Sequence, residues 1–361
     1  MVGSVLLERM RQERDFSAIE PVFFSTSDVG GTGPDVGKGA TALHDAYNLD
    51  ALAELGVIVS CQGGDYTKSV YAKLRQRGWK GYWIDAASTL RMEPDAVLVL
   101  DPVNLPVIER GIAAGIKTYV GANCTVSLLI MALAGLFRAG HVEWISSMTY
   151  QAASGAGAQA MRELIEQMGV LGRATDAVMK DPAKGILDLD RAVSATTRDD
   201  SFPRDAIPVP LAGSVLPWID SALPSGQTRE EWKAQVEANK ILGLEPQIPI
   251  DGICVRVGAM RCHSQGFTVK LKRDVPLAEI ESLLGSAHEW VKVIPNEREA
   301  TLQSLTPTAV SGTLTVPVGR LHKLTLGPEY LGGFTVGDQL LWGAAEPLRR
   351  TLSILRQHGV S

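Results

Sequence analysis

Short apolar runs separated by amphipathic stretches set the rhythm of the first third of the chain. Residues 1–13 place Val5, Leu6 and Met10 on one helical face, and Pro21-Val-Phe-Phe-Ser-Thr then reads as a strand. Residues 57–61, 82–84, 96–100 and 118–120 continue as short strands, with helices predicted near 65–77 and 104–114. Alternation of this kind predicts an α/β domain, a parallel sheet covered by helices, with ligands beyond the carboxyl ends of the strands. Those ends carry Ser25-Thr26-Ser27, Gln62-Gly63-Gly64 and Asp85-Ala86-Ala87-Ser88.

The stretch from Gly121 to Gly157 is where the pattern turns toward chemistry. Cys124 follows the apolar run Thr118-Tyr119-Val120 and precedes Val126, Leu128, Leu129, Met131, Leu133 and Leu136, so it stands where a strand becomes a buried helix over residues 124–137. A thiol at a helix N-terminus meets the positive end of the dipole and unpaired N–H groups, which favour thiolate. The bland alternative is a small buried hydrophobe, and position alone leaves both open. Asn123 beside it and the small-residue turn 151–157 after the next strand add weight to a site, because such turns let a ligand approach the backbone.

Beyond Gly157 the spacing predicts a helix over 161–168 and polar helices and loops over 173–200. Longer β-branched strands follow at 252–259, 264–271 and 311–317, which fits an antiparallel or mixed sheet. A last helix is predicted over 336–357, with a kink or break at Pro347. Apolar stretches such as Thr313-Leu-Thr-Val-Pro-Val, with few helices left to cover both sheet faces, predict a homodimer through this second domain.

A chain of 361 residues is long for one core, so two domains are expected. A net charge of −5 without a basic run excludes nucleic acid as a main partner. No apolar run reaches membrane-spanning length and no signal-peptide core is present, which reads as a cytoplasmic chain without a membrane partner. Cys61, Cys124, Cys254 and Cys262 are too sparse for a disulfide framework, and neither they nor the six histidines show metal-ligand spacing, so no metal is expected.

Three further groups carry candidate chemistry. Thr228-Arg-Glu-Glu231 has capping-box spacing and sets Glu230 and Lys233 on one helical face, by themselves an ordinary solvated ion pair. Arg256 lies in an otherwise apolar strand, where a guanidinium wants an anion. His263, after the turn at Gly258, is the side chain best suited to move a proton near neutrality.

Seven stretches together resemble the aspartate-β-semialdehyde dehydrogenase family of the Gram-negative type. They are Glu20-Pro-Val-Phe-Phe-Ser-Thr-Ser, Cys61-Gln-Gly-Gly-Asp-Tyr-Thr, Tyr82-Trp-Ile-Asp-Ala-Ala-Ser, Asn123-Cys-Thr-Val-Ser-Leu, Thr149-Tyr-Gln-Ala-Ala-Ser-Gly, Arg256-Val-Gly-Ala-Met-Arg-Cys-His-Ser-Gln and Phe334-Thr-Val-Gly-Asp-Gln-Leu-Leu-Trp-Gly-Ala, in order and nearly end to end. The resemblance implies a Rossmann-type NADP-binding domain, residues 1–122 and 346–361, plus an α+β catalytic and dimerisation domain of the glyceraldehyde-phosphate-dehydrogenase-like kind, residues 123–345. It implies NADPH-dependent reduction of aspartyl-β-phosphate to the semialdehyde, a step toward lysine, methionine and threonine. Cys124 would be the acylated nucleophile, His263 the acid–base group and Gln151 the residue orienting the acyl group. Arg256 would take the α-carboxylate and Glu230 the amino group, while Arg91, Asn123 and Lys233 would line the phosphate site. Met1, Val2, Thr26, Ser27, Gln62, Ser154 and Gln339 would meet the cofactor.

Hydroxyls at Thr26 and Ser27 suit a 2′-phosphate better than the acid that grips an NAD ribose, although Asp28 stands next to them. One departure is expected: the family's opening strand and Gly-x-x-Gly loop, about eleven residues by motif alignment, would precede Met1, so that either the start is placed too late or the chain is truncated, and only truncation would deprive the sheet of its innermost strand and the diphosphate of its N–H cradle. Two rivals remain. One is an N-acetyl-glutamyl-phosphate reductase with the same thioester chemistry, which would have no need of Glu230 for an ammonium. The other is a non-catalytic dimeric binding protein.

Overall fold

The computed structural model describes residues 1–360. A four-stranded parallel sheet forms the first layer, and its strands are β3 (Val57–Ser60), β4 (Tyr82–Asp85), β5 (Ala96–Val99) and β6 (Thr118–Gly121), in the order β3-β4-β6-β5. β1 (Phe24–Ser25) and β2 (His44–Asp45) make a separate parallel ribbon, and among the described residues no ladder joins it to that sheet. The strand predicted from Pro21 is therefore shortened to two residues. β5 and β6 are buried along their whole length, which is why they read as continuous apolar runs rather than alternations.

A second, mixed sheet of seven strands holds β7 (Val142–Gln151), β8 (Val215–Leu216), β9 (Ile250–Val257), β10 (His263–Leu271), β11 (Val291–Val293), β12 (Val316–Lys323) and β13 (Tyr330–Gly337), ordered β11-β12-β13-β10-β7-β9-β8. Its register gathers polar residues at one end. Gln151 stands opposite Arg256 on β9, Tyr150 opposite Ser264 on β10, and His263 opposite Gly337 on β13. Four adjacent strands thus bring Arg256, Gln151, His263 and the Asp338-Gln339 corner to one edge.

The helix Cys124–Ala132 lies between the two sheets, every residue from Thr125 to Ala132 buried. Its uniform apolarity suits a helix enclosed on all sides, and Leu128, Leu129, Ile130 and Met131 each contribute roughly 1.5–3 kcal/mol by burial. The run predicted as one helix to residue 137 breaks at Leu133, and a second short helix covers Ala134–Arg138.

Two predictions near the C-terminus need correction. Residues 336–337 end β13, and the last helix is Glu346–Gln357, preceded by a π-helical turn at Leu341–Ala345. Pro347 sits in the first turn of that helix, directly after the π-turn, so the break expected at the proline falls where one helical type passes to the other. The strand predicted over 311–317 begins only at Val316, because Ser311-Gly312 is a turn tied to the Asp338 carboxylate through the Gly312 N–H at 2.7 Å. The final helix packs on β4, β6 and the first helix, Val2–Gln12, and its buried Glu346 accepts from Arg9 and Arg349.

Candidate active site

Cys124 is the first residue of its helix, and Asn123 caps it by accepting from the Thr125 and Val126 N–H groups at 3.0 and 3.2 Å. The helix Arg229–Leu242 runs alongside. The capping box predicted at Thr228–Glu231 is formed, so Glu231 holds the Thr228 N–H while its other oxygen accepts from Cys254 N–H at 3.1 Å.

Capping fixes which face of that helix meets Cys124. Glu230 accepts from Asn123 Nδ2 at 3.0 Å, Gln151 Nε2 at 3.3 Å and Lys233 Nζ at 2.9 Å. The pair is not solvated as its spacing alone suggested: Glu230 is 7% exposed, and Lys233 reaches Asp220 as well. Burial opposes the charge on Glu230, yet Lys233, Asn123 and Gln151 together hold its carboxyl below the ordinary value. Burial likewise opposes the charge on Lys233, which Glu230 and Asp220 hold above its ordinary value.

Arg91 enters from the first layer. Its Nε donates to Gly121 O at 2.8 Å and its Nη1 to Glu237 at 3.0 and 3.4 Å. Arg256 donates from Nη1 to Ala152 O at 2.8 Å, and the backbone N–H of Ala152 donates to His263 Nδ1 at 3.0 Å. That bond assigns the proton of the neutral ring to Nε2, which is buried without a partner. A buried donor left open beside Arg256 is a group awaiting a ligand. Gly155 closes the turn on both: a Cβ there would lie 2.7 Å from Arg256 Nη1 and 2.9 Å from His263 Nε2.

The resting protonation differs from what the helix N-terminus alone suggests. Burial pushes the Cys124 thiol up to about 12, Glu230 adds to this, and Arg256, Arg91 and Lys233 oppose it. Burial, then the charge of Arg256, brings His263 down to about 3. The pair at rest is thiol and neutral imidazole, so the helix dipole does not by itself generate a thiolate.

The groups expected to meet a cofactor fall in two places. Thr26 Oγ1 and Gln62 Oε1 meet at 3.2 Å beyond the ends of β1 and β3, with Ser27 exposed beside them. Met1 caps the first helix and Val2 opens it, with Gly3 against Cys61 at the end of β3. Ser154 and Gln339 are bonded to each other at the other end, and Gln339 also accepts from Cys262 N–H at 2.9 Å. Exposed hydroxyls at Thr26 and Ser27 fit a phosphate-bearing ribose. Asp28 is folded back on the chain, since a Cβ at Gly31 would lie 2.3 Å from its carboxylate.

Four residues escaped assignment from the sequence. Gly343, in the π-turn, touches Cys124 directly: a Cβ would lie 2.5 Å from Cys124 Cβ. Gln265 Nε2 donates to Thr125 O at 2.8 Å, and Asp338 anchors Arg261, Gly312 and Leu340. Glu237 joins Arg91 to Asn123, whose N–H it accepts at 2.6 Å. The stripe Glu230, Lys233, Glu237, Lys240 on one helical face was the available signal for it.

A cysteine at a helix start, an open imidazole and a set of cations between a dinucleotide-type sheet and a mixed sheet define a class. The family model of the semialdehyde dehydrogenase NAD binding domain matches residues 1–110, and that of the semialdehyde dehydrogenase dimerisation domain matches residues 133–342. The chain belongs to the semialdehyde dehydrogenase family. Within it, the chain is similar to the aspartate semialdehyde dehydrogenase of Francisella tularensis, at 49% identity over 99% of this chain and 97% of that one, with a TM-score of 0.93. It shares its fold with aspartate semialdehyde dehydrogenase II of Vibrio cholerae complexed with ASA (21% identity, 99% and 95% covered, TM-score 0.80). The same holds for aspartate semialdehyde dehydrogenase with NADP from Candida albicans (14%, 100% and 96%, TM-score 0.68). Neither the acetylated-substrate reductase nor a non-catalytic binding protein is favoured by these matches.

Proposed function

We propose that the chain reduces L-aspartyl-β-phosphate to L-aspartate-β-semialdehyde and phosphate with NADPH, through a thioester on Cys124. The observation that carries this reading is the set of groups around Cys124: Glu230, Lys233, Arg91 and Arg256 are drawn to one cysteine at a helix start. Arg256 holds the substrate α-carboxylate and Glu230 its ammonium, so the two charges of an amino acid fix its orientation. Arg91, Lys233 and Asn123 receive the phosphate.

The Cys124 sulfur attacks the acyl carbon; the C–S bond forms, the bond from carbon to the bridging oxygen breaks, and the thiol proton departs with the leaving group, which its cations receive as hydrogen phosphate. Arg256, Arg91 and Lys233, which already oppose the rise of the thiol toward about 12, are the groups that favour its ionised form. NADPH, when bound, supplies the hydride that a carboxylate would refuse and a thioester accepts. His263, its Nε2–H unclaimed, hydrogen-bonds the developing oxygen anion and releases it as the C–S bond breaks and the carbonyl re-forms. Gln151, held by Glu230 and Thr149, orients the acyl group. Thr26 and Ser27 hold the 2′-phosphate end of the cofactor, Gln62, Met1 and Val2 its middle, and Ser154 and Gln339 the nicotinamide end.

We read the assembly as a homodimer through the open face of the seven-stranded sheet, which exposes Met148, Tyr150 and Ile253 and stacks Tyr150 on Phe334. The four free cysteines support a cytoplasmic setting. Phosphate-dependent reduction of NADP by aspartate semialdehyde tests the reading. Turnover of N-acetylglutamate semialdehyde alone would overturn it.

A further inference from the structure

The helix Arg229–Leu242 does more than present Glu230. Two turns further along, Glu237 is 2% exposed and accepts three hydrogen-bond contacts from two segments: Asn123 N–H at 2.6 Å on Oε2, and Arg91 Nη1 at 3.0 Å on Oε1 and 3.4 Å on Oε2. One turn beyond, Lys240 Nζ donates to Arg91 O and Glu93 O, both at 2.7 Å. Arg91 is therefore gripped at its guanidinium by Glu237 and at its backbone by Lys240. Asn123 is gripped at its side chain by Glu230 and at its N–H by Glu237.

The bonds to Arg91 occupy two of its three guanidinium nitrogens. Nε is satisfied by Gly121 O and Nη1 by Glu237, while Nη2 has no hydrogen-bond partner among the described residues. A planar guanidinium fixed at Nε and Nη1 presents Nη2 in a set direction, where it can donate to a phosphate oxygen. We propose that Glu237 is a positioning residue that ties the phosphate-binding arginine to the Asn123–Cys124 turn, so that the leaving phosphate and the nucleophile keep one geometry. This rests on the reading of Arg91 as a phosphate ligand.

Glu237→Gln keeps the length and one acceptor oxygen but loses the charge and turns an amide NH2 toward one of the two donors. In the full-length chain, inorganic phosphate should shield Cys124 from iodoacetamide only at about tenfold higher concentration than in the wild type, the scale of one lost charge-assisted hydrogen bond. The KM for phosphate should rise about tenfold, while that for the semialdehyde stays within about twofold. Shielding needs no turnover, so it is read even if the chain proves to act on another acyl phosphate. No shielding of the wild-type thiol removes the Arg91 reading and this proposal with it. Unchanged or tighter phosphate binding in the variant also overturns it, because a carboxylate that merely competes for Arg91 would release it to phosphate when neutralised. Equal rises in both KM values, or a fall in kcat alone, would mark a structural role and refute the proposal. Glu237→Asp, charged but a methylene too short to span both donors, should give the same selective loss; wild-type behaviour, or failure of both variants to fold, overturns the assignment.

Discussion

Gly343→Ala adds a methyl group directly behind Cys124. Its Cβ would stand 2.5 Å from Cys124 Cβ, 2.7 Å from Cys124 Cα and 3.3 Å from Gln339 Cβ, where ordinary contact begins at 3.4 Å. The shortfall at Cys124 is about 1 Å (3.4 − 2.5), and both crowded atoms are fixed to backbone, so no rotamer relieves it. Either the π-turn or the start of the nucleophile helix must move. Overpacking of this kind costs roughly 1–3 kcal/mol, and a displacement near 1 Å at a reacting atom costs about 100-fold in rate. The expected result is a folded, slightly less stable chain whose kcat falls by about two orders of magnitude, and whose Cys124 alkylates at an altered rate. The assay is phosphate-dependent NADP reduction beside a thermal melt and iodoacetamide labelling. A variant that keeps kcat within about threefold while melting with the wild type would refute the idea that this contact sets the thiol's position.

Cys124→Ala should abolish turnover without loss of fold, whereas alanine at Cys61, Cys254 or Cys262 should cost packing alone, read by activity and circular dichroism together. With its pKa near 12, the resting Cys124 thiol should react with iodoacetamide at pH 8 more slowly than a free peptide cysteine; a faster rate would show the helix dipole outweighing burial. His263 stays neutral in the folded chain to about 3 but takes a proton near 6.5 when unfolded, so its contribution to stability is complete above 6.5 and is lost as pH falls toward 3. The melting temperature of His263→Gln should accordingly decline less between pH 7 and 5 than that of the wild type, and parallel declines would contradict this. Lys233→Ala leaves Glu230 buried beside only neutral donors and should destabilise by about 3–5 kcal/mol, measured by urea denaturation. Sedimentation at low micromolar concentration should give a dimer, and Tyr150→Asp should shift it to monomer.

Much of this site was legible because its chemistry sits at element ends. The first sheet announced itself through short apolar runs, and Cys124 through the switch from strand to apolar helix. The capping box located the start of the helix that carries Glu230. What the sequence hid was direction and company. Glu230 and Lys233 have the spacing of a surface pair, and only the packing of their helix on Asn123 and Gln151 makes them interior. The C-terminal error has a similar cause: Leu340, Leu341, Leu348 and Leu352 keep a helical period across a β-strand end, a π-turn and a true helix, so periodicity joined three elements into one. Glu237 stayed silent since a charged residue on a helix face is ordinarily solvated.

Arg9 reaches Glu346 across 337 positions of chain, and the π-turn that backs Cys124 immediately precedes that glutamate. Ribosomes deliver a chain from its N-terminus, at about 5–20 residues each second. The first sheet and the helix behind Cys124 are therefore complete long before the turn that closes over the thiol exists. An unfinished chain carries its cysteine without the wall formed by Gly343, and without the C-terminal helix that pins the first helix to the sheet. Assembly of the reactive centre is thus postponed to the last act of synthesis, and a chain broken off before Gly343 emerges with an unguarded sulfur, not as a slower enzyme.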